Sequence, residues 1–166
     1  MNRRHFLALA PAALVTGCGF QLRRAAGIPF ASLYLDAPAG SQVAQRLRNM
    51  LASSKTLRLA ETAGQAEATL KLGAETRGKT ILSLSGAGRV TEYRLSFQLT
   101  YSINGRDGRV LGEPETIDLS RELTYDDSQV LAKDAEEQLL YRDMEESATQ
   151  RILRRLRNLK PGNGPA

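Results

Sequence analysis

The chain has no tryptophan, one cysteine, one histidine and only 5% aromatic residues. It also lacks any apolar run long enough to cross a bilayer as a helix, which takes about 20 residues at 1.5 Å each. The longest candidate, Phe6–Val15, is ten residues. It follows the cations Arg3 and Arg4 and leads into small residues, so it has the layout of a cleaved export signal. If residues 1–17 are removed, His5 leaves with them and the mature chain carries no imidazole. Cys18 then stands at the new N-terminus, where Val15-Thr16-Gly17-Cys18 resembles a lipobox and the thiol is consumed by lipid. Those two losses exclude Cys-His and Ser-His-Asp catalysis and any His- or Cys-based zinc site. Carboxylate chemistry survives in principle, yet no paired-carboxylate motif stands out. The sequence therefore predicts no enzyme, no metal and no cofactor.

Charge is equally restrained. The formal +5 falls to +3 once Arg3 and Arg4 are gone. That is too little to argue for nucleic acid, and an export signal argues against it. A lipid-anchored chain on the periplasmic side of a membrane is expected. Asn2-Arg3-Arg4-His5-Phe6-Leu7 leaves both the twin-arginine and the general secretory routes open. Gly19 after the cysteine, in place of aspartate, favours the outer membrane.

Beyond the signal, residues 18–29 read as a tether, 30–160 as one domain and 161–166 as a loose Pro/Gly tail. Phe30–Leu35 is a strand candidate. Ser41 can cap a helix whose stripe is Val43, Leu47, Met50 and Leu51. Ala68, Leu70 and Leu72 alternate with polar neighbours, and the pattern runs on unevenly to Leu84. Ser85–Gly88 is a turn; its glycine pair lacks what a nucleotide loop needs. Tyr93, Leu95, Phe97, Leu99, Tyr101 and Ile103 then alternate without a break, the period of a strand with one wet and one buried face. Asn104–Gly108 supplies a hairpin turn, and Ile117, Leu119, Leu123 and Tyr125 mark the return strand. From Leu131 the period is helical, with Ala135, Leu139, Met144, Ala148, Ile152 and Leu156 assigned to one face. Carboxylates crowd its early turns and Arg151, Arg154, Arg155 and Arg157 its last ones, as the helix dipole favours. The expected fold is an α/β (α+β) two-layer sandwich: about four mostly antiparallel strands with two helices on one face.

Two blocks add a resemblance. Cys18-Gly19-Phe20-Gln21-Leu22-Arg23 directly follows the signal. The second block comprises Arg121-Glu122-Leu123-Thr124-Tyr125-Asp126-Asp127, Leu131-Ala132-Lys133-Asp134-Ala135-Glu136-Glu137, Tyr141-Arg142-Asp143-Met144 and Ile152-Leu153-Arg154-Arg155-Leu156, with Thr91-Glu92-Tyr93 upstream. With these the mature chain resembles the LptE family of lipopolysaccharide-assembly lipoproteins. The resemblance implies a non-catalytic subunit in a one-to-one complex with the LptD outer-membrane β-barrel, plugging its lumen, assisting its assembly and binding lipopolysaccharide. It also implies a binding role for a cation in the turn before the Thr-Glu-Tyr strand and for the lysine of the Leu-Ala-Lys-Asp segment. Lys133 matches the second; Arg89 lies in the first turn, although the family position falls nearer Ser85. The alternative reading is an ordinary solvated surface cation at each position. Hairpin pairing about Asp107 predicts Arg89 beside Leu123 or Thr124, so that Arg89 and Lys133 reach one end of the sheet. Two other readings remain: an outer-membrane lipoprotein binding module in barrel insertion or phospholipid traffic, and a carboxylate-only hydrolase.

Anchoring is testable directly. Cys18→Ala should leave an uncut or unlipidated chain, checked by labelling with a radioactive fatty acid. Finding the wild-type chain entirely soluble after osmotic release would remove the anchor.

Overall fold

A computed structural model describes residues 28–54 and 56–159. The expected signal peptide, Cys18, nearly all of the tether and the 161–166 tail lie outside the described residues. In chain order the elements are β1 (Ser32–Asp36), α1 (Gln42–Ala52), β2 (Arg58–Leu59), β3 (Ala68–Leu72), β4 (Thr76–Leu84), β5 (Val90–Gly105), β6 (Val110–Thr124) and α2 (Val130–Asn158).

β5 organises the sheet. One edge pairs with β6, from Glu92↔Thr124 to Asn104↔Val110. The other edge is shared in tandem. β3 takes the stretch from Ala68↔Gly105 to Leu72↔Tyr101, and β4 takes that from Thr76↔Gln98 to Leu84↔Val90. β1 lies parallel to β3, and β2 parallel to β1 beyond it. The two-layer α+β plan is as expected, but the sheet has six strands rather than about four, and two of its pairings are parallel. β2 is too short to show a period. The uneven pattern from Ala68 to Leu84 is two strands, broken where the chain passes close to β5. There Gly73 donates its N–H to Thr100 O at 2.7 Å, and a Cβ at Gly73 would sit 3.1 Å from that same oxygen.

The core follows from alternation. Leu95, Phe97, Leu99, Tyr101 and Ile103 are buried, while Arg94, Ser96, Gln98 and Thr100 on the opposite face are exposed. The N-terminus of α1 is satisfied twice: Ser41 Oγ accepts from Ala44 N at 3.0 Å, and Glu75 Oε1 accepts from Val43 N at 3.0 Å. The helix buries Val43, Ala44, Leu47 and Leu51. Met50, expected in that stripe, lies at its margin and is exposed.

α2 departs further from expectation. Met144, Ala148, Ile152 and Leu156 are buried, but Leu131 is 86% exposed and Leu139 58%. At about 100° per residue, Ala135 and Leu139 turn roughly 120–160° away from the centre of the Met144–Leu156 stripe. The positions that do face inward in this half include Glu137 and Tyr141, and they meet β4. Lys79 Nζ lies 2.6 Å from Glu137 Oε2 and 4.3 Å from the centre of the Tyr93 ring. Tyr93 in turn meets Tyr125 edge-on at 5.1 Å between ring centres. The Tyr141 hydroxyl donates to Gly78 O at 2.8 Å, and the Arg77 guanidinium lies 5.0 Å from the centre of its ring. Polar and aromatic contacts thus replace aliphatic packing along β4.

The two helices and β4 meet at Glu145. This α2 carboxylate is 1% exposed and ion-pairs with Arg77 of β4 and with Arg46 of α1, the latter at 3.5 Å. Without Arg77 this buried carboxylate would keep only the longer contact to Arg46 and be under-compensated. We therefore expect Arg77→Ala to destabilise the domain by about 3 kcal/mol, and Glu145→Gln by less, because it removes the charge itself. Urea denaturation of both variants measures this; an Arg77→Ala midpoint equal to wild type would show the ion pair to be dispensable.

Candidate functional site

Local sequence builds the end of the sheet where β4 turns into β5 and β6 leads into α2. Ser85 closes the first turn, its N–H donating to Arg89 O at 2.8 Å and its O accepting from Gly88 N at 2.9 Å. Gly88 has φ +75° with nothing within 4 Å of a would-be Cβ, so the turn needs its backbone freedom and not its small size. Asp126 shapes the second connection, its Oδ1 accepting from Ser128 N at 2.9 Å and Ser128 Oγ at 2.8 Å. Those donors hold the Asp126 carboxyl below its usual pKa, and the charge of Lys133 adds to the effect.

The register differs from expectation. Thr124 stands opposite Glu92 and Leu123 opposite Tyr93. Irregular pairing between Tyr101 and Asn104 accounts for the displacement. Arg89 therefore lies beyond the end of β6, not beside Leu123 or Thr124. The ladder continues only to Tyr125, whose N–H donates to Thr91 O at 2.8 Å. Arg89 and Lys133 still share this end of the sheet, but in different states. Arg89 is exposed, and among the described residues it has no ion-pair partner. Lys133 is 17% exposed at its side chain, and its ammonium already meets Glu136 Oε2 at 2.8 Å.

Sequence reasoning missed the apolar part of this end. Ile81, Leu82 and Leu84 of β4 and Val130 and Leu131 of α2 are all exposed. Among the described residues β1 and β2 join the sheet through β3, α1 packs on β2 and α2, and α2 is the helix whose side chains meet β4. An apolar strand pattern breaking down at Ile81-Leu82 was the available signal. Among the described residues no cluster of three or more His, Cys, Asp or Glu could hold a metal, and no helix is long and apolar enough to cross a membrane.

Comparison with known proteins fits this architecture. The family model for lipopolysaccharide assembly, LptE, matches residues 28–156. The chain belongs to the LptE family. It is 28% identical over 158 residues to the LPS-assembly lipoprotein LptE of Photorhabdus laumondii, covering 90% of this chain and 83% of that one. Its structure is similar to the solution structure of a lipoprotein B from Nitrosomonas europaea, with a TM-score of 0.71 and 36% identity over 82% of this chain and 88% of that one. The rare lipoprotein B of Shewanella oneidensis shares the fold, with a TM-score of 0.66 at 24% identity over 75% and 92% of the two chains.

Within this LptE-family fold, motif residues distant in sequence are tied together: Arg121 Nη2 of β6 lies 2.6 Å from Asp143 Oδ2 of α2. In the lighter half of the sheet Lys79 joins β4 to α2, and its pKa is raised chiefly by its hydrogen bond to Glu137, against the opposing effect of burial. A cation held above its ordinary pKa stabilises the fold fully at lower pH and loses that contribution as pH rises through the raised value. The stability gap between wild type and Lys79→Met should therefore stay constant near neutrality and shrink above about pH 10.4. A gap that is flat across that range in chemical denaturation would refute the linkage.

Proposed function

We propose that this chain is a non-catalytic outer-membrane lipoprotein, anchored through Cys18 on the periplasmic side. On this reading it forms a one-to-one complex with LptD, assists assembly of that barrel, plugs its lumen and binds lipopolysaccharide on its way to the outer leaflet. Family membership supplies the assembly role. The observation carrying the ligand assignment is the combination of exposed aliphatic side chains and cations at one end of the sheet. Lipopolysaccharide has phosphates beside acyl chains, and such an amphiphile suits a surface offering both.

The two cations differ in what they can contribute. Arg89 is free to meet a phosphate with the planar fork of its guanidinium. Lys133 must first exchange Glu136 for the ligand, so it adds less. Nearby carboxylates, including Asp126 and Asp134, repel phosphate and restrict where it can settle.

Arg89→Glu combined with Lys133→Glu should lower lipopolysaccharide binding about tenfold, the effect of roughly 1.4 kcal/mol, with Arg89→Glu alone giving most of it. Thermal melting should be little changed, and the barrel should still co-purify with the variant. Arg154→Glu with Arg157→Glu, at the far end of α2, provides the control. Wild-type binding by the double variant at low salt would remove the site while leaving the barrel partner standing. A chain that never co-purifies with a large barrel after gentle extraction would remove the partner.

A further inference from the structure

The opposite end of the sheet carries a different charge pattern. Ser32 pairs with Arg58, Ala68 with Gly105 and Asn104 with Val110, so the start of β1, the start of β2 and the β5–β6 turn come together there. The end of α2 joins them, since a Cβ on Gly112 would lie 3.2 Å from Arg155 Nη2. Arg58, Arg106, Arg109, Arg154, Arg155 and Arg157 are all exposed at this end. Arg109 ion-pairs with Asp107; among the described residues the other five have no ion-pair partner.

The nearby carboxylates are partly engaged elsewhere. Glu67 accepts the N–H of Ala31 at 2.9 Å, and Glu115 accepts the hydroxyl of Tyr101 at 2.8 Å. Glu61 and Glu113 are exposed. A helix dipole accounts for arginines in the last turn of α2; of those on other elements, Arg109 meets Asp107 and Arg106 holds Ala66 O, while Arg58 has no such local partner among the described residues. Arg106 is also fixed in place, donating from its backbone N to Glu67 O and from Nε to Ala66 O, both at 3.0 Å. At the far end, by contrast, Lys79 and Lys133 are both engaged by glutamates.

The chain also enters the fold here. Ile28 and Phe30 pack against the core just before Ala31, and Cys18 lies ten residue steps before Ile28. Fully extended, such a segment spans about 35 Å at most. A tether of that length limits distance from a membrane but leaves orientation unset.

We propose that this arginine collar docks on the anionic phospholipid headgroups of the membrane that holds the lipid anchor. It would hold the domain on that surface until the barrel takes it up, with the Arg89 end pointing away from the bilayer. The proposal rests on the reading of Cys18 as lipidated. The collar works at short range, because exposed charges are screened over about 10 Å at 0.1 M salt. It supplies orientation, and the lipid supplies retention.

The test uses the full chain, processed in cells and reconstituted into nanodiscs of phosphatidylcholine alone or with phosphatidylglycerol. Hydrogen exchange is followed in the Gly105–Val110 turn and around Arg58. Those amides should exchange several-fold more slowly in the phosphatidylglycerol discs, and high salt should close the gap. Arg58→Glu with Arg109→Glu, both outside the helices, should remain on the discs and lose the protection. Equal exchange in both discs, or protection unaffected by salt and by the variant, would overturn the collar. Failure to associate with phosphatidylcholine discs would remove the Cys18 anchor alone. The collar would then have to appear as salt-sensitive association with phosphatidylglycerol discs, and its absence there would overturn it too.

Discussion

Glu145 sets the terms for the rest of the structure. A carboxylate placed almost completely out of water in the middle of α2 must find cations, and it takes one from each of two other elements, Arg46 of α1 and Arg77 of β4. Such an ion pair adds little net stability, since desolvation offsets most of the attraction. Its value lies in geometry: α2 can settle only where both guanidiniums reach it. Met144, Ala148, Ile152 and Leu156 would tolerate a helix sliding by one turn; the carboxylate does not.

That pinning divides the domain into unequal halves. Beside β3 the sheet has β1, β2 and both helices, and its core is aliphatic. Beside β4 the described residues supply α2 alone, held by Lys79, Arg77 and three tyrosines. The lightly covered half cannot hide Ile81, Leu84 or Leu131, so exposed apolar surface there follows from the topology. The same division separates the charges. Cations near the exposed apolar side chains are largely engaged by glutamates, whereas those near the chain's entry are largely free.

Much of this was legible in the sequence, and the failures have physical causes. The unbroken alternation from Tyr93 to Ile103 identified the central strand, because a strand wet on one side leaves a period of two. The helix stripe from Met144 to Leu156 and the cap at Ser41 were equally plain. β2 was invisible because two residues carry no period, and parallel pairing of β1 leaves no local mark. Spacing of four puts Leu131 and Leu139 on the face of Met144 and Leu156 until the rotation is followed over several turns. The register slipped because bulges cannot be counted from a turn. For the site, Arg89 and Lys133 could be assigned to one end of the sheet, but that Lys133 spends its charge on Glu136 is a property of three dimensions.

The tandem sharing of one β5 edge has a consequence for how the chain assembles. β4, β5 and β6 are joined by short turns, so their pairing encloses little chain and costs little loop entropy. β1 must wait for α1 and β2 to be looped out before it can lie beside β3, and non-local parallel pairing is slow for that reason. Order is thus expected to spread from the meander toward β1, the strand nearest the N-terminus, which would be among the last to lock. With the anchoring proposed for Cys18, assembly would run from the free side toward the point of attachment.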